Sequence, residues 1–230
     1  MQQDFVKGLR TGYYVSPLAA PGQKATRPTP AVITVGADAE AGDLTLSLSS
    51  ASPVTLLAGA SLNFGGVSAL VTEDTALTSS PAPVPVRALS GAVAEDATAP
   101  WNGMLRISST ASSEVAVTEG TNQLRSITYD SSEEPEWDEA QVTSLGWTMD
   151  RGGRFRPNDP AYLVVEQAAL TKREVFVERI LPDEDGNPAR YQAGRAIVTN
   201  FRVPSPAEGM VDASWTFTGQ GRLETGAITP

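Results

Sequence analysis

The 230-residue chain contains no cysteine and no histidine. Disulfides, thiolate nucleophiles, Cys/His zinc sites and every histidine-based triad are therefore excluded. Long apolar runs are missing too: nowhere do about 18 apolar residues follow one another, and the first turns of the chain carry no signal-type stretch. The expectation is a soluble chain made in a cytoplasm, with no membrane partner. Positive charge is scarce, with Lys+Arg 17 against Asp+Glu 27 and a formal charge of −10. Wrapping nucleic acid is disfavoured, because affinity for phosphate comes mainly from Lys and Arg. An acidic surface can still face DNA if its task is to let DNA pass without sticking. Aromatics make up only 7%, whereas Gly 20 and Pro 17 accompany abundant Ser, Thr, Ala and Val. That balance favours many short strands and turns, so the class is mainly β.

Residues 142–224 hold the densest succession of signals. The run 211–219 places Val211, Ala213, Trp215 and Phe217 on one face and Asp212, Ser214, Thr216 and Thr218 on the other, the period of a half-buried strand. A second run, 190–203, gives Tyr191, Ala193, Ile197, Phe201 and Val203 one parity. A third, 174–180, joins it through Pro182-Asp183-Glu184-Asp185-Gly186-Asn187-Pro188, which is hairpin chemistry. Ahead of these lies one convincing helix at 159–170: Asp159 as N-cap, Pro160 at the first position, then Ala161, Val164, Val165 and Ala168 on one face.

Residues 1–30 read as an arm, with apolar Phe5, Val6, Leu9, Tyr13, Tyr14 and Val15 followed by Pro17, Pro21, Pro28 and Pro30. Such a segment builds no core of its own and gains by lying on another surface, a floppy terminus being the plain alternative. Between 31 and 100, short runs at 31–35, 43–48, 54–57, 60–64, 67–72 and 84–89 alternate with turn residues, as in a small barrel or sandwich. Pro85 confines the last of them to an edge. Residues 31–100 are thus a small β-module, inserted or added, or else they belong to one continuous sheet with the rest; 94–103 reads as the linker. Strand pattern resumes at 105–107, 114–117 and 123–129. It breaks at 130–141, where Asp130, Glu133, Glu134, Glu136, Asp138 and Glu139 surround Pro135 and Trp137.

Trp147 in its strand, the 151–156 turn, the Asn158-Asp159-Pro160-Ala161-Tyr162 helix start, the 174–180 strand, Arg195-Ala196-Ile197-Val198-Thr199 and Ala213-Ser214-Trp215-Thr216-Phe217-Thr218-Gly219-Gln220-Gly221 together resemble the major tail proteins of long-tailed bacteriophages, the subunits of the tail tube. The resemblance spans about residues 105–224. It implies a tail-tube-type β-sandwich or barrel with one flanking helix over 101–230, to which the N-terminal β-module is added. It also implies self-assembly into stacked, hexameric rings in a virion tail, with double-stranded DNA passing through the lumen without specific binding. Tape measure and tail terminator proteins are the further partners it implies. On this reading Glu133, Glu134, Glu136, Trp137, Asp138 and Glu139 form an inter-ring loop with Trp137 as its anchor. Asp212, Ser214, Thr216 and Thr218 become the candidate lumen face, and Phe5, Tyr13 and Tyr14 a subunit-contact arm. A solvated acidic loop with its tryptophan folded back on its own domain is the plain counterpart.

Chemistry is hard to find. Asp183-Glu184-Asp185-Gly186-Asn187 fails the EF-hand spacing, because the glycine comes too early and the twelfth position is Gly194. Gly219-Gln220-Gly221 starts like a dinucleotide fingerprint, but no helix follows; these glycines let a strand bend or another backbone approach. The 133–139 carboxylates lack an apolar pocket to separate their pKa values as a glycosidase requires. No catalytic residue, cofactor or metal site is expected. Arg151, Arg154, Arg156, Lys172 and Arg173 flank the helix as a solvated face or as partners for acidic loops of an adjoining subunit. The competing functional class is a carbohydrate-binding or adhesive β-domain at a virion or cell surface, with Trp101, Trp137 and Tyr191 as stacking platforms.

Overall fold

A computed structural model describes residues 12–107, 112–124, 139–154, 158–183, 187–203 and 212–228. Mainly β, it builds two cores on separate sheets and carries one helix. The smaller part begins with β2 (Ala31–Val35; β1 is described below), which pairs with β3 (Thr45–Ser50). Short strands β4 (Val54–Leu56), β5 (Ser61–Phe64), β6 (Val67–Leu70) and β7 (Thr75–Leu77) form two small ladders, β4 with β7 and β5 with β6. β8 (Ala82–Pro85) lies at the edge of a four-stranded sheet ordered β8-β3-β2-β9, which is where Pro85 belongs. The stretch expected as a linker contains β9 (Thr98–Trp101), paired with β2. The correction has a plain cause: Ala99 and Trp101 face the core of this part while Thr98 and Pro100 face outward, a period-2 pattern that Pro100 disguised. Leu57 packs against both cores, and Gly59 sits so close to Pro160 that an added Cβ would lie 2.6 Å from the ring.

The larger sheet is ordered β10-β1-β13-β14-β15-β12-β11, with β16 beside β14. Its strands are β1 (Gly12–Val15), β10 (Leu105–Arg106), β11 (Ser112–Leu124), β12 (Glu139–Arg154), β13 (Val175–Pro182), β14 (Pro188–Arg202), β15 (Asp212–Gly219) and β16 (Glu224–Ala227). The runs expected at 114–117 and 123–129 are one strand as far as Leu124, with a bulge at Gly120/Thr121, and 151–154 continues β12 instead of turning. The acidic stretch is correspondingly shorter, because Glu139 already pairs with Leu124.

Helix α1 (Pro160–Thr171) starts as its sequence predicts: Asp159 Oδ1 accepts the Ala161 N–H at 3.0 Å, and Pro160 occupies the first turn. Its Ala161, Tyr162, Val165, Ala168 and Ala169 bury against Val175, Val177, Ala196, Val198, Trp215 and Phe217. Asn200, at φ 51, shifts the register of β14 against β15 between Thr199 and Arg202. Strict alternation puts Phe201 with Ile197; the bulge instead turns it to the helix side, 5.7 Å from the Tyr162 ring and 6.5 Å from Trp215.

The sheet is strongly curled. β1 and β12 are four strands apart, about 19 Å in a flat sheet at ~4.8 Å per strand, yet the Arg151 guanidinium lies 3.2 Å from the centroid of the Tyr13 ring. Trp147 fills the interior next to them. Its ring lies where a Cβ on Gly219 would come within 2.4 Å and one on Gly194 within 2.6 Å, and its indole N–H donates to Gly221 O at 2.9 Å. The glycines thus admit a side chain, not another backbone.

Gly219→Ala should lower stability by about 1–3 kcal/mol through overpacking against Trp147, read as a lower urea midpoint with an unchanged slope. Burial pushes the Tyr162 phenol up to about 12, the neighbouring Glu166 charge adding to it. The folded state then keeps its proton where the unfolded chain, near 10, loses it. Stability from this group is full below pH ~10 and is lost toward pH 12, so Tyr162→Phe should flatten the alkaline limb of a melting-temperature profile.

Candidate assembly surfaces

The curl gives the large sheet a filled inside and an outside that divides in two. Over β1, β13 and the first half of β14 the outside is covered by residues 16–30. Ser16 exchanges bonds with Phe176, its N–H donating to Phe176 O at 2.8 Å and its Oγ accepting the Phe176 N–H at 2.9 Å. Glu174 Oε2 accepts the Ala25 N–H at 2.9 Å, and Arg27 meets Glu178 at 2.6 Å with its guanidinium 4.8 Å from the Tyr191 ring centroid. Tyr13 is buried in the core, and Tyr14 packs beside Phe176 and Met104. The arm expected over 1–30 is corrected for these residues: 12–30 lies on its own subunit, and Tyr13 and Tyr14 are not free to dock on a neighbour. Phe5 lies outside the described residues.

The rest of the outside, across β11, β12, β15 and the end of β14, is uncovered among the described residues. Asp212 and Ser214 are exposed and Thr216 and Thr218 half-buried, while Ala213, Trp215 and Phe217 point inward. Cross-strand register adds Thr148 and Ile197 beside Thr218, and Asp150 and Thr199 beside Thr216. Glu114 follows beside Asp150, Arg202 beside Ser214, and Arg154 beside Asp212. Thr216 Oγ1 donates to Asp150 Oδ1 at 2.5 Å, and the Thr199 and Thr218 hydroxyls lie 2.9 Å apart. An open groove of about 590 Å³ crosses this face between Glu114, Asp150, Thr216 and Arg202. The face is polar and mixed in charge, three carboxylates with two guanidiniums.

Two further features were not visible to periodicity. β11 is paired on one side only, so a strand of 13 residues is a free edge. Beyond Thr148, β12 loses contact with β15 and continues with β11 alone as a two-stranded ribbon, on which Val117 is 59% and Leu145 68% exposed. The alternation Val115-Ala116-Val117 carried that signal, but a bulged strand read as two pieces hid it. Inside, burial pulls the Arg151 guanidinium down to about 10 with the Arg179 charge acting the same way, while Tyr13 opposes both.

The inter-ring residues Glu133, Glu134, Glu136, Trp137 and Asp138 lie outside the described residues, and Glu139 opens β12. Trp101 is buried in the smaller core and Tyr191 is half-covered under Arg27, so neither is an open platform for a sugar. Among the described residues no group of three or more acidic, His or Cys side chains is placed to hold a metal, and no helix is long and apolar enough to cross a membrane.

No family model and no curated protein matches the chain. Among solved structures it is similar to a chain in the tail of an empty gene transfer agent (GTA) particle computed with helical refinement in C6 symmetry. There the identity is 12%, the TM-score 0.44 and the coverage 54% of this chain and 87% of that one. A chain in the virion of a native GTA particle matches at 14% identity and TM-score 0.45, covering 54% and 89%. One in the six-fold symmetrised baseplate of the anti-feeding prophage (AFP) matches at 10% and 0.41, covering 53% and 83%. These are partial resemblances in shape, and no residue role passes from them to this chain.

Because the polar face packs against nothing in the subunit, Ser214→Ala and Thr218→Val should change folding stability by less than about 0.5 kcal/mol. Urea denaturation checks this; a loss of several times that size would make the face part of the folded core.

Proposed function

We propose that this chain is the self-assembling subunit of a virion tail tube, its copies closing into rings that stack around a bore through which double-stranded DNA passes. The observation that carries the reading is the free β11 edge beside an uncovered polar face. A 13-residue edge offers a row of backbone N–H and C=O groups to the next chain, and soluble proteins normally blunt such an edge with a charge, a proline or a covering segment. Nothing of that kind covers β11 among the described residues. Side-by-side pairing in a closed ring satisfies those groups and leaves no edge to aggregate.

In such a ring the polar face of β11, β12, β15 and β14 turns to the bore. Its Thr, Ser, Asp and Glu side chains hydrate well and outnumber its arginines, so a phosphate backbone meets no continuous cationic stripe and is not held. The ribbon with Val117 and Leu145 reaches onto a neighbouring subunit, where those side chains gain burial. Six copies per ring, the tape measure and terminator partners and a place in the virion tail follow from the sequence resemblance alone. The carbohydrate-binding reading loses support with Trp101 in a core and Tyr191 under Arg27. The role is structural and non-enzymatic.

Concentrated protein should form annular or tubular particles under negative stain. Val117→Lys with Leu145→Lys should shift the assembly midpoint at least tenfold to higher concentration while leaving the melting temperature within a few degrees. A parent chain that stays monomeric at millimolar concentration counts decisively against the tube.

A further inference from the structure

The two ends of the large sheet differ in charge, and both β-hairpins that overhang it project the same way. β12 meets β15 from Thr148 to Arg154, and its other end, at Glu139, pairs with Leu124. At ~3.3 Å per residue its 16 residues span about 50 Å. β14 runs in register with this strand through β15, Ala196 lying opposite Gly219, and continues down to Pro188 in the direction of Glu139. The β11–β12 and β13–β14 connections therefore leave the sheet at one end.

That end gathers the chain's acids. The sequence joining Leu124 to Glu139, with Glu139 itself, supplies Asp130, Glu133, Glu134, Glu136, Asp138 and Glu139, and the hairpin supplies Asp183, Glu184 and Asp185. Nine carboxylates stand against Arg125 and Arg190. At the opposite end Arg154 and Arg202 are exposed on the same face, on either side of β15, with Arg156 two residues further on. The acids nearest them in the chain are Asp212, across the ladder from Arg154, and Glu208. One end is strongly negative and the other balanced to slightly positive.

We propose that stacking is polar and keyed by this asymmetry: the acid-rich hairpin end of one copy seats on the Arg154/Arg202 end of a second copy. This rests on the tube reading and goes beyond it by naming both surfaces and the direction of growth. Two hairpin ends brought together place like charges face to face, so reversed addition is rejected, whereas hairpin on arginine end attracts and repeats without limit, as a heterologous contact does. Exposed charges act over about 10 Å at 0.1 M salt, so salt weakens the contact.

The test uses the full chain and scores rings and tubes separately, by negative-stain microscopy and time-resolved light scattering. Arg154→Glu with Arg202→Glu, and separately Glu133→Lys with Glu134→Lys and Glu136→Lys, should each leave rings intact and slow tube elongation at least tenfold. Mixed one to one, the two reversed proteins should regain growth toward the parent rate, because acidic and basic ends now alternate. The parent itself should elongate several-fold more slowly in about 0.5 M than in about 0.05 M NaCl, a readout that needs no variant to fold. Elongation indifferent to salt and to both reversals, or a mixture no faster than its parts, overturns the polar contact while leaving the tube intact. A parent that forms neither rings nor tubes at any salt overturns the tube reading, and this contact with it.

Discussion

The stacking of Arg151 on Tyr13 is the contact on which the arrangement of surfaces depends. It ties β12 to β1 across three intervening strands and so records a curl that a flat sheet cannot have. Burying a guanidinium is costly, which is why its pKa falls, and the face of Tyr13 supplies part of the compensation. Once the sheet is curled, Trp147, Trp215, Phe217 and the helix fill the inside. The outside then needs no apolar residues where residues 16–30 do not cover it. A polar face over four strands and a free strand edge are consequences of that one geometry.

The same constraint explains the placement of the N-terminal segment. The chain enters through β1, crosses the outside of β13 and β14 under the hold of Glu174, Glu178 and Arg173, and only then starts the smaller sheet at Ala31. Arg173 Nε donates to Ala19 O at 2.6 Å, so charged side chains fasten a segment whose prolines can offer few backbone bonds. The smaller core touches the larger one through Leu57 and through the Gly59–Pro160 approach at the start of the helix. It adds bulk beside the helix and leaves the polar face open.

Much of this was legible in the sequence where one rule acts alone. The Asp159-Pro160 start fixed the helix, and the 212–219 alternation told inside from outside, because both signals are local. Reading failed where a distant partner decides. Tyr13 looked like part of a loose arm because nothing near it in sequence reveals Arg151 on a strand far along the chain. Phe201 was given the parity of Ile197 because a left-handed Asn200 leaves no mark in a hydrophobic pattern. Val117 and Leu145 went unnoticed because their exposure follows from where β15 stops, not from their own neighbours. The lumen residues Asp212, Ser214, Thr216 and Thr218 were found as a face; that Asp150, Glu114, Arg154 and Arg202 share it required the strand order.

The central claim is that the uncovered polar face looks onto the bore of a closed assembly. A cryo-electron microscopy reconstruction of assembled protein, at a resolution that separates strands, tests it most directly. The account predicts an annulus with Asp150, Ser214 and Thr216 on its inner wall and the helix toward the outside. A map with the helix against the axis and these residues on the outer surface, or with copies that share no sheet edge, would contradict it.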